Sequence, residues 1–326
     1  MNAFLFAAEA VLPIILTVAI GYLLGRIGLL GERVSRAVNK LVFRLLLPCM
    51  LFLNVYKIES FSSVRWHFVL YAVGATLLFF LAAFPLSALA ARERNRRGVL
   101  IQSVFRSNYA LIGIPLATAL FGAEGAAVAT LLSAFSIPLY NVLATVCLCF
   151  FGSGERPSVK KLLLGVIKNP LIISIALGCV CLGVRSLLVA NGIAFRLSNL
   201  TPVFTVLSQL SASATPIALL ALGAQFTFSA LPALKREIVF GVLARTVAVP
   251  AIGLAAAYAL GIFDGAHFAA FVALFATPVA VSSVPMTQEL GGDTALAGQL
   301  VVWTTLLSAF TLFFFCFVLK LIGVFA

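Results

Sequence analysis

Long apolar runs fill this chain, separated by short clusters of arginine, lysine, asparagine and glycine. A helix rising 1.5 Å per residue needs about 20 predominantly apolar residues to cross hydrocarbon. Runs of roughly that length occupy 4–25, 38–56, 65–88, 98–120, 125–150, 162–183, 199–226, 235–260, 267–289 and 295–322. The pattern predicts an all-α polytopic membrane protein of about ten transmembrane helices. Helical patterning is weakest over 182–198, which holds Arg185, Asn191, Gly192 and Arg196.

Two of these runs cannot be plain helix. One contains Asn108-Tyr-Ala-Leu-Ile-Gly-Ile-Pro115, the other Pro278-Val-Ala-Val-Ser-Ser-Val-Pro285. Proline removes a backbone donor and clashes with the preceding turn, so both stretches are read as breaks, with ordinary proline kinks as the alternative. Unwound backbone at membrane depth survives only when surrounded by protein or a water-filled cavity. A pair of such breaks in matching halves is the sequence mark of a transporter's binding site.

The halves do match. Leu131-Leu-Ser-Ala-Phe135 recurs as Leu306-Leu-Ser-Ala-Phe310, and Gly122 and Gly292 each follow a final proline by seven residues. Pro48 in span 2 has an approximate counterpart in Pro216 in span 7. Five spans per half turn the second copy over in the membrane, giving two inverted five-helix repeats with broken, crossing helices 4 and 9. The expected organisation is a first repeat over 1–150, a short connection at 151–161 and a second repeat over 162–326.

Composition agrees with a membrane origin: 63% of residues are hydrophobic and 10% charged, against roughly a quarter charged in soluble domains; mean hydropathy is +1.16. The net charge of +12 does not point to nucleic acid, because the basic residues sit in connections without an aromatic-rich surface. Fifteen of them fall in the connections after spans 1, 3, 5 and 7, and five in the alternate connections and C-terminus. By the positive-inside rule both termini are extracytoplasmic and 151–161 is cytoplasmic, in a cell membrane (the inner one if the source has two). No basic region precedes the first apolar run, so helix 1 is expected to stay in the mature protein. Cys49, Cys147, Cys149, Cys179, Cys181 and Cys316 read as small apolar filler, and His67 and His267 as interfacial. No metal-ligand set, cofactor motif or Walker loop stands out, and no nucleophile–base pair suggests an enzyme.

Helix ends exposed at the breaks would present N–H groups suited to an anion. Asn108, Thr277, Ser282 and Ser283 supply polarity there. Tyr109 either stacks on a substrate or packs, and Gly113 permits close approach of the crossed segments. Arg106 lies about nine residues, or roughly 14 Å, beyond the Arg97 cluster, and Arg245 is similarly deep. A lipid-facing charge is costly, so each is a cavity cation, a partner of backbone carbonyls, or a snorkelling residue; Arg106, two residues before the first break, is the one expected to bind substrate. Gln225 ends an apolar helix that can border the same cavity; Asn54 and Gln299 are weaker candidates. Gln288 and Glu289 form a candidate cation site or an ordinary helix end. No acidic residue sits at a midplane, which leaves the coupling ion open between proton, sodium and none. A second copy of the chain also stays open as a partner.

The segment Phe105–Pro115, with Pro216–Gly223 and Pro278–Asp293, resembles the auxin efflux carrier family, especially short bacterial members known as malate or malonate permeases. The resemblance spans essentially the whole chain. It implies the inverted five-helix architecture, an elevator-type cycle, and crossing roles for Asn108, Pro115 and Pro285. Auxin carriers place a second asparagine near the start of the other break, and 277–285 holds none. That departure turns the expectation from an indole carboxylate to a small mono- or dicarboxylate such as malonate or malate. The alternatives are a sodium-coupled carrier of bile-acid type, and a channel or receptor.

Overall fold

Three widened turns, each followed two residues later by a proline, shape the helices of this chain. They are Val42–Leu46 before Pro48, Tyr109–Gly113 before Pro115 and Ala244–Ala248 before Pro250. A proline ring collides with the carbonyl four residues back and leaves its bond unmade. A π-turn lengthens the hydrogen-bonded loop by one residue, which lets the helix continue past the ring.

The computed structural model describes residues 3–57, 65–152, 164, 167–227, 229 and 231–325. The long elements are α1 (Ala3–Arg26), α2 (Glu32–Tyr56), α3 (Trp66–Ala90), α4 (Arg94–Phe105), α5 (Tyr109–Phe151), α6 (Pro170–Ala190), α7 (Thr201–Gln225), α8 (Leu231–Leu260), α9 (Gly265–Phe275), α10 (Ser283–Glu289) and α11 (Thr294–Leu321). Seven of these, α2, α3, α5, α6, α7, α8 and α11, are long and apolar enough to cross a membrane. Leu78, Leu81, Val180, Val206 and Phe310 stand exposed on their outer faces, a surface suited to lipid rather than water. The protein is therefore an all-α, multi-pass membrane protein. Most of the expected connection 151–161 lies outside the described residues.

The first break is not where the prolines put it. Helix stops at Phe105 and resumes at Tyr109, so the interruption is Arg106–Asn108, and 109–115 is already helical. The π-turn is the reason: it absorbs Pro115 at the start of the following α-helical stretch. The second interruption covers 276–282, with Pro285 inside the first turn of α10. The weakly patterned stretch after 182 is helical as far as Ala190, because Arg185 has a place inside: its Nη1 donates to the Tyr56 carbonyl at 2.8 Å and the guanidinium covers the Tyr56 ring. α2 starts at Glu32, earlier than its apolar run, with an added amphipathic turn that buries Ser35 and Asn39. α5 folds back sharply at Phe121–Gly122, where Gly122 has φ 57°, a conformation a side chain disfavours.

Packing separates the helices into two bundles. The first joins α1, α2, α6 and α7. Its tightest seam is glycine-made: a Cβ at Gly223 would lie 2.0 Å from the Val18 carbonyl, and one at Gly21 2.3 Å from that of Leu220. Small residues of this kind let helix backbones touch in a membrane. The second bundle joins α3, α4, α5, α8, α9, α10 and α11. At its basic end Arg96 binds Glu93, Glu237 and Asp293 at 3.0–3.1 Å, tying α4, α8 and α11 together. The two interruptions lie within this second bundle and partly face the first.

Candidate functional site

Four helix ends converge where α4 passes to α5 and α9 passes to α10. The interrupted backbones run past each other as a short antiparallel bridge between Ser107 and Val279. The Asn108 N–H donates to the Pro278 carbonyl at 2.8 Å, and the Val279 N–H to Thr304 Oγ1 of α11 at 3.1 Å. Pro278 suits its place because the bridge asks it for an acceptor and never for a donor. Each strand thus satisfies groups that hydrocarbon could not.

On the carbonyl side, Arg245 closes the ends of α4 and α9. Its Nε donates to Thr277 O at 2.8 Å, its Nη1 to Val104 O at 3.1 Å and its Nη2 to Leu274 O at 2.8 Å. The π-turn at Ala244–Ala248 carries this residue, which has no exposed surface. Of the readings open from sequence, the structure selects partnership with backbone carbonyls.

On the amino side, the first turn of α5 and the interrupted segment Ala280–Ser282 that leads into α10 border a cavity of about 60 Å³ between the two bundles. A water needs roughly 10–15 Å³ on this scale, so the space suits a few waters or a small solute. Arg106 and Asn108 line it, with Tyr140, Asn141, Ser282 and Thr215; Leu47, Met50 and Leu51 of α2 form the apolar wall opposite. Arg106 Nη2 donates to Asn141 Oδ1 at 3.0 Å and to Ser282 Oγ at 2.7 Å, while Nη1 abuts the Met286 sulfur. Asn108 is 7% exposed, and its buried Nδ2 has no protein acceptor. Among the described residues, neither Arg106 nor Arg245 has a carboxylate partner. The buried Arg106 guanidinium, the N-terminus of α5 and the unused Asn108 amide donor favour negative charge at this place.

The other sequence candidates divide. Ser282 belongs to the cavity through Arg106. Tyr109 borders it, but its hydroxyl is committed to the Ala129 carbonyl at 3.1 Å. The Thr277 hydroxyl bonds back to Ala273 O at 2.7 Å, and Ser283 is buried outside the lining with its Oγ unpartnered. Gly113 faces α9, where a Cβ would come within 3.1 Å of Ala273. Gln225, Gln288 and Glu289 lie at the basic end instead, around a vestibule of about 680 Å³ lined in part by Gln225 and Gln288. There Asn39 Nδ2 reaches Gln288 Oε1 at 3.0 Å and Gln225 Oε1 at 3.5 Å, and Arg44 pairs with Glu289 at 3.4 Å. These contacts fasten α2 and α7 of one bundle to α10 of the other. Gln299 is occupied by Thr227 O and the Trp303 indole, and Asn54 does not line the cavity. Sequence reading missed Asn141 and Tyr140; the run Pro138-Leu-Tyr-Asn141 inside an apolar helix was the available signal.

A cavity at crossed, interrupted helices between two bundles is transporter architecture, and comparison with known proteins reaches the same place. Residues 6–316 match the family described as membrane transport protein. The chain belongs to that family. It is similar to an uncharacterized transporter of Methanothermobacter thermautotrophicus, 23% identical over 95% of this chain and 97% of the relative. An uncharacterized transporter of Methanocaldococcus jannaschii is 25% identical over 72% of this chain and 73% of that one. Membership makes the chain a membrane transport protein, in line with a non-enzymatic role.

Proposed function

We propose that this membrane transport protein is a secondary carrier of small organic anions, with a mono- or dicarboxylate of the size of malonate or malate as substrate. The observation that carries the reading is the placement of Arg106 beside the unpartnered Asn108 amide on one cavity wall, with no carboxylate among the described residues to neutralise the guanidinium. A carboxylate entering there accepts from Asn108 Nδ2 and from Arg106. It competes with Asn141 and Ser282, whose uncharged oxygens accept from the guanidinium more weakly than an ionised carboxylate does. The apolar wall from α2 contacts the carbon skeleton.

The finer architecture belongs to the same proposal: ten passes in two inverted five-helix halves, 1–150 and 162–326, kin to the bacterial relatives of auxin efflux carriers. The repeated Leu-Leu-Ser-Ala-Phe and the like sequence of interrupted helices in each half support it. Transport follows when the second bundle, carrying the crossing, shifts against the first and presents the cavity to alternate sides. The glycine seam of α1 and α7 marks the first bundle as the fixed part. Both termini lie outside the cytoplasm in this reading, on the strength of the basic asymmetry.

Counterflow in proteoliposomes tests the function, with a radiolabelled panel of mono- and dicarboxylates, sulfate and bile acids. Exchange of one or more small carboxylates, with neutral analogues ignored, is expected. Exchange of bile acids alone, or uptake only of uncharged solutes, would overturn the substrate class.

A further inference from the structure

Helix C-termini in an apolar interior expose carbonyls with partial negative charge and too few donors. In carriers built on broken helices, such carbonyls are where a coupling sodium or proton is held. In this chain the corresponding groups come from two separate helices, α4 and α9, plus the strand that follows α9. All three recorded contacts go to one side chain: Val104 O, Leu274 O and Thr277 O each accept from a different nitrogen of Arg245. The guanidinium is fully buried, and its planar fork spreads its donors over three nitrogens, where an ammonium would have to serve all three carbonyls from a single atom. Three further carbonyls at these helix ends are also used. Gln102 O accepts from the Arg106 N–H, Val272 O from Ala276 N–H and Ala273 O from the Thr277 hydroxyl.

We propose that Arg245 is a resident cation of the crossing: it fills the place where half-helix carbonyls would bind an exchangeable alkali cation, so that neither folding of the crossing nor turnover requires sodium there. This rests on the anion-carrier reading above and deepens it by assigning the coupling. A tethered charge moves with its bundle and never dissociates. No cation gradient can then act through these carbonyls, and the only charge exchanged at the crossing is the substrate's. The candidate cation site read from the sequence, Gln288 and Glu289, lies apart from these carbonyls at the basic end.

The test separates the cation question from the substrate question by reading stability as well as transport. Purified wild-type protein is melted in sodium chloride and in choline chloride at equal ionic strength, and counterflow is run in the same two media. Unchanged melting temperature and unchanged rate are expected. A saturable, sodium-specific rise in either would overturn the resident cation, whatever the substrate proves to be. Arg245→Ala supplies the positive arm, because it empties the carbonyl cage. Its lowered melting temperature is expected to recover on adding millimolar methylguanidinium, with no such recovery in wild type or in Arg185→Ala. Recovery of Arg245→Ala with sodium but not with methylguanidinium would show a site built for a metal cation and contradict the proposal. If Arg245→Ala does not fold, the wild-type sodium comparison still decides. A failed carboxylate panel with sodium-independent melting would remove the substrate assignment and leave Arg245 untouched.

Discussion

Arg106 and Arg245 are the same side chain, buried to nearly the same degree near the same crossing, and they are held by opposite kinds of partner. Arg245 is held by three backbone carbonyls from two helix ends. Those acceptors are fixed by the fold and cannot leave. Arg106 is held by an amide, a hydroxyl and a thioether from side chains, and it stands on a cavity wall. Neutral side-chain partners can yield to a better acceptor. The comparison teaches that depth in a membrane does not tell an arginine locked to backbone from one whose partners can be displaced; the chemistry and mobility of its acceptors do, and they are why the proposed anion site is assigned to Arg106.

The comparison is broken most directly by removing each cation in turn. Arg245→Met leaves three carbonyls without donors, at about 1–3 kcal/mol each, and is expected to cost roughly 3 kcal/mol or more. The measured outcome is low membrane yield and a melting temperature far below wild type. Arg106→Gln keeps an amide near Asn141 and removes an unpaired charge, so stability is expected to stay near wild type while anion transport falls at least about tenfold. Equal loss of stability in both variants would erase the distinction. Arg106→Lys sharpens it: the charge remains but the fork is lost, and carboxylate transport is expected between that of wild type and that of Arg106→Gln. Substrate half-saturation in liposomes reads this series.

Arg65 gives a third point, at the rim, where it pairs with Asp264 at 3.1 Å, both largely exposed. Burial opposes ionisation of Asp264, but the His267 backbone N–H, the His267 ring and Arg65 together hold its carboxyl below the usual range. A depressed carboxyl contributes stability above its unfolded pKa and loses it as pH falls through the folded value. Asp264→Asn keeps a good cap for α9, so only a small drop in melting temperature is expected at neutral pH. That difference should close as pH falls through the acid range. Exposed pairs are worth little, and a large effect here would show that water-exposed and buried arginines had been ranked wrongly.

Much of this was written in the sequence. The apolar runs, the two proline-marked interruptions and the depth of both arginines were legible because hydrocarbon tolerates few alternatives. The position of the first break was not. Pro115 marks the end of a widened turn, and its nearness to Asn108 made the helical stretch 109–115 look unwound. Sequence favoured Arg106 for the substrate side, two residues before the first break, but what holds Arg245 was out of reach, since carbonyl acceptors have no signature in a side-chain code. Val104, Leu274 and Thr277 are named by their backbones alone. The Asn39–Gln225–Gln288 cluster was hidden for another reason: its members come from distant parts of the chain and sit at a vestibule rather than at the crossing. Asn141 was visible as a lone amide in an apolar helix, yet only packing reveals that it faces Arg106.

The central claim is that a small organic anion docks at the crossing against Arg106 and Asn108. Direct binding of a transported carboxylate to purified Asn108→Ala, by calorimetry beside wild type, tests it with folding checked by an unchanged melting temperature. Loss of one hydrogen bond to a charged group costs about 1.5–3 kcal/mol, so affinity is expected to fall by roughly ten- to hundred-fold. Unchanged affinity for every transported carboxylate would contradict the account.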